Sequence, residues 1–133
     1  MTADGTWMMV FETGDVVPID ATSEEYDKWR EMMPLATSVD GKIQMMWRDR
    51  GPTDQTFLHN HIANGIVRTR WWYPKQPTNV RGPVMFTHFD RDASGLPLPL
   101  AQDSVALLNV YISLVNELLK KDDHAGLSVV EIP

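Results

Sequence analysis

The 133-residue chain has no cysteine. Disulfides, thiolate nucleophiles and cysteine-ligated metals are thereby excluded, and a reducing compartment is allowed without being demanded. No apolar run approaches the roughly 20 residues that cross a bilayer, so no membrane partner is expected. The opening MTADGTWMMVFETGD has no basic stretch ahead of an apolar one, and a secretory signal is not expected either. GxSxG, P-loop, GxGxxG and HExxH patterns are missing, and no serine or lysine stands in a recognisable nucleophile context. With these patterns missing, nothing so far points to an enzyme or a cofactor. Repeats and linkers are missing too, so residues 1–133 read as one domain, large enough for a single core.

What is present is an uneven distribution of charge. The net charge is −6, but residues 1–41 carry nine acidic and two basic side chains. Residues 42–81 reverse this, with Lys42, Arg48, Arg50, Arg68, Arg70, Lys75 and Arg81 against Asp49 and Asp54. Residues 82–133 return to seven acids and three bases. A basic block between acidic flanks says more about partners than the total does.

Short apolar runs separated by turn dipeptides fill the first two-thirds. TWMMVFE and VVPID flank Gly14-Asp15, which predicts a hairpin over 6–12 and 15–19. TSEEYDKWREMM reads as a short helix capped by Thr22 or Ser23 and ending before Pro34. LATSV and KIQMMWR flank Asp40-Gly41 as a second hairpin. TFLHNHI and IVRTRWWY flank Ala63-Asn64-Gly65 as a third. PKQPTNVRGP is a polar loop, and VMFTHFDR is the last expected strand. From residue 101 the period changes: Leu108, Tyr111, Ile112, Val115, Leu118 and Leu119 recur at helical spacing. Leu107, Val110 and Leu114 widen that stripe, as in a helix covered once by its own sheet and once by a partner chain. LSVVEIP reads as extended. Strands first and a long helix last predict an α+β fold.

Two patterns raise metals. His59 and His61, two apart on an expected strand, would share a face, with His88, Asp90 or Asp92 completing a site. Asp90, Asp92, Ser94 and Gly95 match the start of a calcium loop, but Ala101 occupies the position that needs a bidentate glutamate. The first pattern is a minor alternative, and the second reads as a turn. The paired acids of EEYDKWRE read as a solvated helix face, and the Met-Met pairs as core filler.

The strand faces carry more. Lys42, Gln44 and Arg48 alternate with Ile43, Met45 and Trp47. Arg68 and Arg70 share a side, as do His59 and His61, and as do Phe86 and His88. Neighbouring strands could then present bases, amides and an aromatic together. Guanidinium and ammonium groups neutralise phosphates, and aromatic rings stack on unpaired bases.

This layout resembles the coat proteins of single-stranded RNA bacteriophages, the levivirus type. The likeness spans nearly the full chain and lies in the order of elements. It runs through a hairpin at 6–19, five strands near 34–39, 42–48, 56–62, 66–72 and 84–91, and a clasping helix at 101–121. The ending LLNVYISLVNELLKKDDHAGLSVVEIP is similar to that family's C-terminus, and PKQPTNVRGP stands where the family has the loop around its shell axes. The resemblance implies an intertwined homodimer with two five-stranded antiparallel sheets joined edge to edge, helices outside, and the bare sheet facing the genome. It implies a capsid protein of the virion, assembled into an icosahedral shell in the host bacterial cytoplasm, of which neither enzyme activity nor a cofactor is expected. RNA-binding candidates carried over by position are Lys42, Gln44, Arg48, His59, His61, Arg68, Arg70, Phe86 and His88. The rival readings are a small acidic protein-binding or inhibitor module using residues 1–41, and a metal-dependent enzyme using His59, His61 and His88.

Overall fold

In the computed structural model, which describes residues 5–48, 58–69, 71–73 and 80–121 (backbone only from 119), two of the three turn signals form hairpins. β1 (Thr6–Val10) pairs with β2 (Val16–Asp20), closed by the Phe11 N–H donating to the Asp15 carbonyl at 2.9 Å. Gly14 takes φ 95° in that turn, a left-handed geometry in which it carries no Cβ penalty. β3 (Met33–Ser38) pairs with β4 (Ile43–Trp47) around Asp40. There the Ser38 hydroxyl and the Lys42 N–H both donate to Asp40 Oδ1, at 2.6 and 3.0 Å. These bonds hold the Asp40 carboxyl below its ordinary range, the Ser38 hydroxyl contributing most.

Between the hairpins lies α1 (Ser23–Lys28), where Thr22 Oγ1 accepts from the Glu25 N–H at 3.2 Å and Glu24 and Glu25 face the positive end of the helix. α2 (His61–Val67), β5 (Trp72–Tyr73), β6 (Val84–His88) and α3 (Gln102–Lys121) follow. The fold is α+β, with a six-stranded open antiparallel sheet in the order β2-β1-β6-β4-β3-β5 and a C-terminal helix. The N-terminal hairpin is therefore part of the sheet, because β1 pairs with β6 as well as with β2.

The third turn signal fails. Residues 61–67 are helix, not the ends of two strands, and Asn64-Gly65 lies inside that helix. Of the strands expected at 56–62 and 66–72, only the His59–Arg81 bridge and the two residues of β5 make sheet contacts among the described residues. Residues 56–57 and 70, the loop residues 74–79 and the extended segment expected after 121 lie outside the described residues. The reason for the helix is the pair Asn60 and Asn64, one turn apart and both fully buried. Asn60 Oδ1 caps the helix by accepting from the Ala63 N–H at 3.0 Å, while its Nδ2 donates to Val10 O at 3.0 Å and Gly82 O at 2.8 Å. Asn64 Nδ2 donates to Val80 O, and its Oδ1 accepts from the Val80 N–H. A hairpin would leave these amides and their backbone partners without each other. Ile62, Ala63, Ile66 and Val67 are buried on every side of the helix, as in an element enclosed by its own chain.

The expectation of one apolar and one bare sheet face also fails. Met8, Val10, Ile43, Met45, Val84 and Phe86 pack beneath α2 and α3 with Trp72, Leu108, Tyr111, Ile112 and Val115. On the other face Trp7, Met9, Met46 and Met85 form a second buried cluster with Ala21 and Met32, covered by Phe11, Ile19, Tyr26, Trp29 and Leu96. Each in-strand Met-Met pair thus gives one methionine to each core, as the two-residue period of a strand requires. In β3 the ladder shifts between Pro34 and Ala36, leaving Leu35 as a bulge.

Asn60→Ala removes the side-chain bonds to Val10 O, Gly82 O and the Ala63 N–H. At about 1–3 kcal/mol for each buried group left unpaired, the expected loss is about 3 kcal/mol or more. Denaturant unfolding measures it; a loss below about 1 kcal/mol would show that these bonds do not hold the fold.

Candidate functional site

The nine residues proposed from the sequence do not share one surface. Phe86 is 0% exposed and sits in the core under α3, its ring edge-on to Trp72 at a centroid distance of 5.8 Å. It is a packing residue, since its register partners are Met8 and Met45 of the same core. His88 lies on that same face opposite Ile43, and its Nδ1 accepts from the Asp90 N–H at 3.0 Å. Gln44 lies on the opposite face, paired with Thr87 and only 5% exposed. Lys42 precedes β4 and brings Nζ to 4.0 Å from Asp103 at the start of α3. Arg68 is the half-buried C-cap of α2. Arg70 lies outside the described residues.

His59 and His61 do come together, with ring centroids 4.7 Å apart. They meet because Asn60 turns the chain into α2, not because they alternate along a strand. Among the described residues no group of three or more histidines, aspartates or glutamates is arranged to hold a metal ion. The Asp90–Gly95 stretch is a turn whose acceptor is used internally. Asp92 Oδ1 takes the Ser94 N–H, the Ser94 hydroxyl and the Leu96 N–H at 2.9, 2.6 and 3.0 Å. Those bonds, the Ser94 hydroxyl first, lower the Asp92 pKa.

Arg48 lines a cavity. β1, β4 and β6 reach the same end of the sheet, and the alternation that buries Met9, Met46 and Met85 carries Phe11, Arg48 and Pro83 to the same side. With Glu12, Trp29, Met32 and Arg81 they enclose a cavity of about 310 Å³ that continues the second core toward solvent. This is within the range of small-ligand pockets. The Arg48 Nε is buried without a hydrogen-bond partner, and 3.6 Å separates it from Glu31 Oε1, whose side chain is largely exposed. Arg81 is held from behind, since its backbone bridges His59 while Val80 and Gly82 on either side bond to Asn64 and Asn60. The slot is apolar and partly aromatic, with Arg48, Arg81 and Glu12 among the residues around it.

No family model, curated protein or solved structure matches this chain.

The sequence reading missed Glu12, Trp29 and Arg81. Trp29 had a visible signal, since a tryptophan beside a short charged helix must bury its ring somewhere. Arg81, alone between Val80 and Gly82 in a polar loop, had none.

Gln44 Oε1 is buried and unpaired, so Gln44→Leu is expected to raise stability by about 1 kcal/mol without changing any RNA affinity of the chain. Thermal unfolding alongside an RNA titration measures both. Weakened RNA binding with intact stability would return Gln44 to the interface.

Proposed function

We propose that this chain is a structural protein of coat type. It self-associates, builds a shell and contacts single-stranded RNA. The observation that carries this reading is an exposed apolar pair on α3. Leu108, Tyr111, Ile112 and Val115 face the core, and Leu107 and Leu118 pack against its margin. Val110 and Leu114, one turn apart in the middle of a 20-residue helix, are 52% and 39% exposed. Leaving this pair in water gives up apolar burial that a second copy supplies.

The sheet edges are poorer candidates for pairing between copies. β2 carries Pro18, which has no N–H to donate, and β5 is two residues long. Association through the helix face is thus the form of dimer that these elements favour. The RNA contact draws on Arg48, with Arg81 beside it, and on the His59 and His61 pair. Phe86 is not part of it.

A second reading has its own support. Asp20, Glu24, Asp27 and Glu31 are all exposed on or near α1, a surface suited to a basic protein partner. The two readings differ in size and nucleic-acid content. The expressed chain should sediment as large particles with the absorbance ratio of a nucleoprotein. Val110→Glu with Leu114→Glu should give a folded monomer of unchanged thermal midpoint. A wild-type chain that stays monomeric and free of nucleic acid would overturn the coat reading in favour of the acidic module.

A further inference from the structure

We infer that two copies of this chain pair through α3 as antiparallel helices. Their two-fold axis lies level with Ile112, which sets Asp103 of each chain opposite position 121 of the other. The inference rests on the self-association proposed above and specifies its surface, orientation and register.

The outer side of α3 is marked by what it lacks. From Ser104 to Asn116 the helix has no charged residue, although Ala106, Asn109, Val110, Ser113 and Leu114 in that span are exposed. The water-facing side of a helix packed on one neighbour ordinarily carries charge. Here the charges stand at the two ends, Asp103 in the first turn and Lys120 and Lys121 in the last. Positions 103, 107, 110, 114, 117 and 121 follow at alternating four- and three-residue steps, the spacing of a helix-pairing seam. Its middle is Leu107, half-buried at the core margin, with Val110 and Leu114 open to solvent. One turn from Leu107 and Leu114, Tyr111 stacks on Trp71 at 5.7 Å. Trp71 O in turn accepts from the N–H of Val39, which is 43% exposed. The apolar surface extends from α3 to the sheet margin.

Orientation follows from the charges. A parallel pair sets Asp103 beside Asp103 and brings the two lysine-bearing ends together, and like charges repel. An antiparallel pair sets the acidic end of each helix against the basic end of the other, and the helix dipoles then oppose as well. Register follows from symmetry. Facing positions are equally far from a two-fold axis, since residue i meets j and j meets i. Val110 opposite Leu114 places that axis level with Ile112. The same axis puts Asp103 opposite 121, where the sequence has lysine. An axis at Val110 would instead set Asp103 against Glu117, a repulsion. Packing and charge select one register between them. Glu117 falls level with the half-buried Leu107 and is exposed at the rim.

Charge exchange and cross-linking test orientation and register separately. Asp103→Lys alone, or Lys121→Glu alone, should raise the concentration for half-association about tenfold at low salt, because symmetry places the altered pair at both ends. The Asp103→Lys/Lys121→Glu double variant should return to the wild-type value, read by sedimentation of the full-length chain. A merely local effect on α3 would not be rescued in this way, since both substitutions oppose the helix dipole. The chain has no cysteine, so an introduced pair reports alone. Val110→Cys co-expressed with a tagged Leu114→Cys chain should give, on oxidation, about fivefold more mixed cross-link than Val110→Cys gives with itself. A double variant that stays weak, or Val110→Cys cross-linking best to itself, would overturn the inference. Nucleoprotein particles combined with a failed rescue sink this pairing and leave the coat reading standing. Dimers that show the rescue but hold no RNA and build no shell do the reverse, and a monomeric wild type overturns both.

Discussion

Two buried asparagines hold this molecule together at the point where its parts would otherwise separate. Asn60 and Asn64 stand one turn apart on α2. Between them they bond to the end of β1, to the backbone of α2 and to Val80 and Gly82 ahead of β6. A buried amide without partners costs about 1–3 kcal/mol per group, so this arrangement is stable only when all its members are present. It couples three segments that are distant in sequence. It also sets the backbone of Arg81, which is how a packing decision inside the fold comes to decide the wall of a cavity on its surface.

The second constraint is that the sheet is buried on both sides over most of its centre. β1, β4 and β6 have almost no exposed residue, and their side chains divide between a core under α2 and α3 and a smaller core under α1. A six-residue helix is too short to seal its side, and the smaller core runs out at Phe11, Met32 and Pro83. The cavity is the unfilled end of that core, and the arginines lie where the apolar residues stop. Position and chemistry of the cavity thus follow from the same shortfall of covering structure.

Much of this was legible in the residues, and the failures share a cause. The Gly14 and Gly41 turns, the Thr22 cap and the period of α3 are local signals, and each formed as its own segment dictates. Asn64-Gly65 is as strong a local hairpin signal as either, yet it lies within a helix, because what Asn60 and Asn64 bond to is 16 to 50 residues away. Phe86 and Gln44 were misjudged for a related reason. Alternation tells which residues share a face, but the partners across a sheet decide whether that face is covered. β6 next to β1, and α1 folded over the far side, are tertiary facts that no short window contains. Arg48 was found because it continued a pattern, and Arg81 was missed because it continued none.

The bulge at Leu35 has a consequence for how the sheet tolerates changes in chain length. Everywhere else along the central strands, gaining or losing one residue would exchange the two cores, sending every later side chain to the wrong side. At Leu35 the ladder already steps from Pro34 opposite Met46 to Ala36 opposite Met45, with one residue to spare. A chain without Leu35 keeps both pairings and gives up only the contacts of a half-buried leucine. β3 therefore contains a position where the length of the chain is decoupled from the sidedness of the sheet.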